Sequence, residues 1–416
     1  MTPNLATWGI AALATLGVIA RPFRLPEFVW AIAGALLLVV FGAISWPEAV
    51  AAVAKGTDVY LFLIGMMLLA ELARLEGLFD YLAAIATRRA KGSPGRLFAI
   101  IYGVGILVTI FLSNDATAVV LTPAVYAVTK AAKVKPLPYL LICAFIANAA
   151  SFVLPISNPA NLVIYGDHMP TLPAWLAHFA LPSIVAIATT FLVLWLTQRR
   201  ALGDKVGEPP VVVLSRGGQI ASFGLIVTAT VLLVSSALGW QLGLPTFIAG
   251  VLVAVLVLGL SWQSPLPLLR GISWSALPLV AGLFVLVEGL NRTGLLASIA
   301  EALHHWSEAA LPATVAASGL AVGLGSNLIN NLPMGLIAAT VGHDAQAPAQ
   351  VTEALLVGVD LGPNLSVTGS LATILWLIAL RREGLHVGGW AFLRLGLLVM
   401  PPALILALLA LVLEPR

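Results

Sequence analysis

The chain has 416 residues, of which 60% are hydrophobic and only 9% charged, with a net charge of +3. A soluble domain carries roughly 25% charged residues, so the composition excludes a soluble globular protein and requires lipid as the main solvent. The basic excess sits in short connectors, which excludes a nucleic-acid-binding face, and a single cysteine, Cys143, excludes intrachain disulfides and a three-thiolate metal or metalloid site.

The N-terminal apolar stretch has no basic residue before Arg21, which predicts a first membrane helix and not a cleaved leader. Apolar runs at 28–44, 97–112, 184–196, 220–238 and 247–260 reach or approach the length that crosses a hydrocarbon core of about 30 Å. Arg21 and Arg24, then Arg88, Arg89, Lys91 and Arg96, then Arg199, Arg200, Lys205 and Arg216, and finally Arg270 mark connectors expected in the cytoplasm. Pro209 and Pro210 make 201–217 the natural linker between two halves, 1–200 and 218–416. Cys143 reads as a small apolar residue packed in a helix. His304 and His305, with Glu301 and Glu308, read as a solvated loop and not a metal site. Trp8, Trp30, Trp46, Trp240, Trp262, Trp274 and Trp390 fall near segment ends, as interfacial anchors do.

The two halves match at a nearly constant offset. Ile32-Ala33-Gly34 aligns with Ile248-Ala249-Gly250, Glu71 and Gly77-Leu78 with Glu288 and Gly294-Leu295, and Asn114 with Asn331. After a five-residue gap, Asn148 aligns with Asp360, Asn158 with Ser370 and Asn161 with Thr373. Arg21 and Arg24 precede the second apolar helix, whereas Arg270 follows its counterpart, so the repeats are expected to have inverted topology. The expected fold is an all-α polytopic membrane protein of about ten transmembrane helices plus re-entrant hairpins and broken helices, with both termini outside. Scaffold helices are expected at 5–46 and 218–262, and transport elements at 58–165 and 274–380.

Four segments break the apolar pattern: 113–117, 148–161, 326–333 and 360–373. Each mixes Asn, Ser, Thr or Asp with nearby Pro or Gly, and proline removes a backbone donor and interrupts a helix. Unwound backbone survives at membrane depth only when buried in protein or lining a cavity. Asp115 and Asp360 lie in these segments, where a carboxylate costs about 2.5–3.5 kcal/mol even on the mildest scale. Desolvation penalises their ionised form, and they are expected to carry protons. The alternative role, a helix N-cap, remains open. Asn114, Thr117, Asn148, Ser157, Asn158, Asn161, Asn330, Asn331, Asn364, Thr368, Ser370 and Thr373 are the candidate substrate contacts. Glu71 and Glu288 have neutralising neighbours, Arg74 and Arg292, and are accessory candidates. With no Lys, Arg or His in the four segments, a multiply charged anion is disfavoured against a neutral hydroxylated species or a small cation.

With these motifs in hand, the chain resembles the ArsB-type arsenite/antimonite efflux permeases of the ion transporter superfamily. The resemblance rests on Ser113-Asn114-Asp115 with Leu121-Thr122-Pro123, on Asn330-Asn331-Leu332-Pro333, and on Asp360-Leu361-Gly362-Pro363 with Gly369-Ser370-Leu371-Ala372-Thr373. It implies a secondary transporter, not an enzyme, in the bacterial inner membrane. Such a transporter exports arsenite and antimonite by proton exchange, needs no cofactor or metal, and in some cases carries a cytosolic arsenical-pump ATPase. Asn148 departs from the family pattern, which has an acid there, and Glu71 and Glu288 replace uncharged residues. A sodium/proton antiporter or an organic-anion carrier of the same superfamily is the alternative. A passive channel and an intramembrane aspartyl protease fit less well, the protease because Gly358-Val359-Asp360 lacks the Gly-x-Gly-Asp pattern.

Overall fold

A computed structural model describes residues 3–203, 205–207 and 212–413; Pro209 and Pro210 of the expected linker lie outside the described residues. Every regular element among the described residues is helical, as lipid requires, because a spanning backbone must satisfy its own hydrogen bonds. The chain opens with α1 (Pro3–Ala20), α2 (Glu27–Val40), a short α3 (Trp46–Ala54), α4 (Thr57–Leu75) and α5 (Leu78–Ala90). Helix α6 (Pro94–Leu112) runs to a break at Ser113, and the chain continues through α7 (Asn114–Ala116), a π turn at Thr117–Leu121 and α8 (Thr122–Ala131). Then α9 (Leu137–Ala149) is interrupted before α10 (Pro159–Tyr165), and α11 (Leu172–Gln198) leads into the linker.

The second half follows the same order. Helices α12 (Arg216–Ala237), α13 (Gly243–Ser261), short α14 (Leu266–Gly271), α15 (Ala276–Arg292) and α16 (Leu295–Ala309) precede α17 (Leu311–Ile329), which ends at a break at Asn330. Helix α18 (Asn331–Asp344) follows, then α19 (Ala349–Leu361), an interruption, α20 (Leu371–Arg382) and α21 (Gly389–Leu413). Six of these (α6, α11, α12, α13, α17 and α21) are long and apolar enough to cross a membrane; the pair α15–α16, bent by 74°, and three shorter apolar helices complete the set. The backbone repeats in detail. Gly77 and Gly294 turn α4 into α5 and α15 into α16 with φ of 73° and 81°. Cys143 is fully buried in α9. His304 and His305 lie within helix α16, not on a loop, and the His304 Nδ1 is 2.9 Å from the Ala345 carbonyl. Their spacing with Glu301 and Glu308 is that of one exposed helical face.

The helices pack through glycine. Gly65 of α4 meets the backbone of Thr246 and Gly250 in α13, and its counterpart Gly282 in α15 meets Ala31 in α2. Without side chains there, the backbones approach closely, the usual device where no hydrophobic effect drives helices together. Asp58 Oδ1 accepts from the Gly243 amide at 2.8 Å, so α4 and α13 start at the same end and run in the same direction. The contacts Ala31 to Gly282 and Leu38 to Gly289 give α2 and α15 a common direction too. Helix α3, at nine residues, spans only about 13 Å and cannot recross the bilayer, so α2 and α4 run oppositely. In the other part of the molecule, Gly358 of α19 and Gly362, just past its end, sit on Gly319 and Gly323 of α17.

One end of the molecule collects the basic residues. The linker amides of Val206 and Gly207 donate to Gly92 O and Ala132 O at 3.1 and 2.8 Å, which knots 88–96, 130–135 and 199–207 together. Ser215 Oγ donates to Glu76 at 3.1 Å and fastens the linker to the α4–α5 turn at that same end. Lys55 and Arg292 lie at the opposite end, paired with Glu288 and Glu48. Gly358→Leu is expected to wedge α17 off α19 at a cost of about 1–3 kcal/mol, read as a lower unfolding temperature in detergent. Gly259→Leu, at a position with open space around it, should leave that temperature unchanged.

Candidate functional site

Both chain breaks begin on a non-glycine residue in a left-handed, extended conformation: Ser113 at φ 88°, ψ 161° and Asn330 at φ 76°, ψ 154°. After each break the chain doubles back. The Thr109 and Thr117 hydroxyls are 2.8 Å apart, whereas eight residues of continuous helix would separate them by about 12 Å. A Cβ placed on Gly325 would contact Met334 in the same way. Residues 94–131 and 311–344 therefore form two hairpins with tips at Ser113-Asn114 and Asn330-Asn331. The π turn of the first hairpin has a covalent cause: Pro123 has no N–H to return to the Val119 carbonyl, and the helix widens there.

The broken helices α9–α10 and α19–α20 meet these tips. Asn331 N donates to Gly369 O at 2.8 Å, and Asn330 Nδ2 donates to Thr368 O at 3.2 Å, so the second tip is stitched to the second break. A narrow cavity results at the centre. Asn114 and Asp115 from the first tip, Asn158 and Pro159 from the first break, Asn331 and Leu332 from the second tip, and Leu371 and Ala372 after the second break line it. Leu63 of α4 and Ala276, Leu279 and Val280 of α15 form the opposite wall. Among the described residues, no Lys, Arg or His lines it.

The centre adjoins a vestibule at the basic end of the molecule. A vestibule shares Leu63, Asp115, Pro159, Ala276 and Leu371 with the central cavity and extends past Met66, Met67 and Ser273 to Glu71, on the basic side. A larger vestibule at the other end, lined by Lys55, Asp58, Glu288, His168 and His343, shares no residue with the centre. Val59, Leu162, Val163, Phe284 and Leu336 form its inner, apolar floor.

Of the residues singled out in the sequence, Asn114, Asp115, Asn158 and Asn331 line the cavity. The others hold the breaks in shape. Asn161 Nδ2 lies 2.9 to 3.3 Å from the carbonyls of Ser151, Leu154 and Pro155, the unwound turn between α9 and α10. Asn148 Nδ2 donates to Asn364 Oδ1 at 3.0 Å, and Asn364 Nδ2 to Phe145 O at 2.9 Å, linking the two breaks. Ser157 Oγ donates to Ile110 O at 3.1 Å, Thr368 Oγ1 to Asn327 O at 2.9 Å, and Ser370 caps α20 by accepting from Thr373 N, with the two hydroxyls 3.0 Å apart. Thr117 bonds inside its own hairpin. Asp360 is fully buried behind the first break and accepts from Asn158 Nδ2 at 2.6 Å, while its Oδ2 has no partner.

Glu71 and Glu288 belong to the walls opposite the tips. Glu71 is held by Arg74 at 2.5 and 2.7 Å and packs on Gly271 of α14. Glu288 takes Lys55, at the end of α3, at 2.8 Å. Each carboxylate thus pins the short connecting helix of the other half. Asn327 was not singled out, yet its side chain donates to Gly323 O and Gly362 O and accepts from Ser366 N and Oγ, joining α17 to the second break. Its signal was only its place in the polar segment 326–333.

A multi-pass helical membrane protein with hairpin tips and broken helices closing on a polar cavity, open towards one face, is a transporter and not an enzyme. The chain belongs to the CitMHS citrate transporter family, which matches residues 14–358. It is 28% identical over 371 residues to an arsenical pump membrane protein of Escherichia coli, covering 84% of this chain and 85% of that protein. A protein of the same name from Yersinia enterocolitica is 29% identical over 375 residues, with 84% and 85% covered. An uncharacterized transporter of Mycobacterium tuberculosis is 29% identical over 372 residues, with 84% of each covered. The fold is similar to that of the Alcanivorax borkumensis YdaH transporter, whose crystal structure reveals an unusual topology: TM-score 0.61, 17% identity, 99% of this chain and 98% of that chain covered.

The conformation of Ser113 is one that only glycine adopts freely, at a cost of about 1–3 kcal/mol for other residues. Ser113→Gly is expected to raise the unfolding temperature with transport retained, and Ser113→Val to lower both. Thermal melts alongside a vesicle transport assay check this.

Proposed function

We propose that the protein is a secondary transporter of the bacterial inner membrane that exports arsenite and antimonite from the cytoplasm in exchange for protons. The observation that carries this reading is the composition of the central cavity: three amides, one carboxylate and no cationic side chain. As(OH)3 is neutral and offers three O–H groups to amide and carboxylate oxygens. A multiply charged anion would meet Asp115 with no cation to offset it.

The basic end of the molecule is taken as cytoplasmic, by the excess of Lys and Arg in its loops. The centre is then open inward and closed outward by the apolar floor of the outer vestibule. The repeats are read as inverted: α2 opposes α4, α4 runs with α13, and so α2 and α13 run in opposite directions. Because α4 and α15 pack on α13 and α2 and are pinned there by Glu71 and Glu288, they join the scaffold. The two broken helices and the second hairpin, tied together by Asn148, Asn364, Asn327 and Asn330, and the first hairpin, tied to the first break by Ser157, move as the other body. Asp115, in contact with the inner vestibule, and Asp360, with one carboxyl oxygen unpartnered, carry the protons.

The test is uptake of arsenite and antimonite into inverted vesicles under an imposed proton gradient. Wild type should accumulate both, and Asp115→Asn and Asp360→Asn should each reduce gradient-driven uptake by about 5–150-fold, the range expected when a coupling of 1–3 kcal/mol is lost. No metalloid uptake, with proton movement driven by sodium or by an organic anion such as citrate, would overturn the reading in favour of a sister activity in the family.

A further inference from the structure

Asn158 stands between two environments. Its Oδ1 accepts from the Ala160 N–H at 3.0 Å, capping α10, and this fixes the amide so that Nδ2 must point away from the helix. There it meets Asp360 Oδ1 at 2.6 Å. The same residue lines the central cavity, which Asp360 does not reach. No other residue that lines the cavity bonds to Asp360 among the described residues.

We propose that Asn158 is a positioning residue that transmits the protonation state of Asp360 to the substrate cavity; this rests on the proton-coupled reading above. A hydrogen bond to an ionised carboxylate is roughly twice as strong as one to a neutral group. With Asp360 ionised, Nδ2 is held on Oδ1, and the cap, Pro159 behind it and the cavity wall are fixed as seen. A proton on Oδ2, the oxygen without a partner, leaves Oδ1 a neutral acceptor. The amide then turns more easily towards a substrate hydroxyl.

Of the polar side chains at this carboxyl, Asn158 alone also lines the cavity. Ser151 reaches the carboxyl as well, although its hydroxyl donates to Asn148 O at 2.7 Å. The ionisable groups on the elements packed against α19 lie elsewhere. Glu353, on α19 itself, sits two turns away with His178 of α11 at 3.6 Å. His343 and Asp344 end α18 at the outer face, Arg394 of α21 lies over Trp390, and Tyr165 of α10 packs on Trp175. On α9, Tyr139 reaches Pro94 O and Cys143 is buried along that helix. Helix α17 has none.

The test uses the full-length protein in liposomes with arsenite as probe, comparing pH-dependent KM, gradient-driven uptake and gradient-free exchange. Asn158→Ser keeps a good α10 cap but cannot span to Asp360. It should flatten the pH dependence of KM and lose gradient-driven accumulation, as Asp360→Asn does, while gradient-free exchange falls only by the loss of one cavity contact, and the double variant should be no worse than either single one. Asn158→Asp keeps size and cap, and its carboxyl shares a proton with Asp360, so it should displace the pH profile upward. Should Asn158→Ser not fold, that displacement alone decides. A raised KM with the pH dependence intact in Asn158→Ser, or an unmoved profile in Asn158→Asp, overturns the inference and reduces Asn158 to a substrate contact. Absence of proton-driven arsenite movement in wild type is a different failure and removes the underlying reading instead.

Discussion

The structure depends on the need to satisfy unwound backbone at membrane depth. Two breaks and two hairpin tips leave carbonyls and amides without helical partners, and lipid offers none. The asparagines answer this. Asn161 contacts three carbonyls of one break, and Asn327 binds two carbonyls and a backbone amide in the other half. An amide side chain carries both donor and acceptor with no net charge, so it does this at less cost than an acid or a base. The abundance of asparagine in the polar segments is therefore first a structural requirement. Among the described residues, Asn114, Asn158 and Asn331 are the asparagines left facing the cavity.

That requirement also separates the proposed moving body from the proposed scaffold. Side-chain amides tie the second tip and the two breaks to one another, with Asn148 and Asn364 bridging the two halves of the chain, and the Ser157 hydroxyl ties the first hairpin to the first break. Close glycine contacts tie α4 to α13 and α15 to α2. Between the bodies, the central cavity has a wall of Leu63, Ala276, Leu279 and Val280, all apolar. An interface that is polar on one side and smooth and apolar on the other has few hydrogen bonds to break when one body slides against the other. The charge pairs Glu71 with Arg74 and Glu288 with Lys55 stay within the smooth body.

Much of this was legible in the sequence because lipid makes hydropathy a strict signal. Four polar segments with Pro or Gly in an otherwise apolar chain became the two tips and two breaks, and the repeat that pairs Asn114 with Asn331 reappears as matched backbone at Ser113 and Asn330. What escaped was direction. Hydropathy gives the depth of Asp360 but not that it lies behind the break, since both faces of α19 are buried. The role of Asn327 was hidden because its partners, Gly323, Gly362 and Ser366, are mostly distant in sequence. His304 was misplaced on a loop because α16 is strongly amphipathic, and its polar face resembles a connector when its helical spacing is overlooked.

The repeat is broken where charge enters. Asp115 has Leu332 as its counterpart, and Asp360 has Asn148. A fully symmetric site would place carboxylates on both tips or at both breaks, where like charges in a low dielectric repel strongly. This chain keeps one acid on a tip and one behind a break, from opposite halves. They sit in unlike settings: Asp115 is half-buried and reaches the vestibule at the basic end, while Asp360 is sealed and bonded to Asn158, which lines the cavity. Two carboxyls in such different surroundings bind protons under different conditions. On the proposed mechanism, the asymmetry lets one pseudo-symmetric frame hold an acid that samples the aqueous side and an acid that responds to the state of the site.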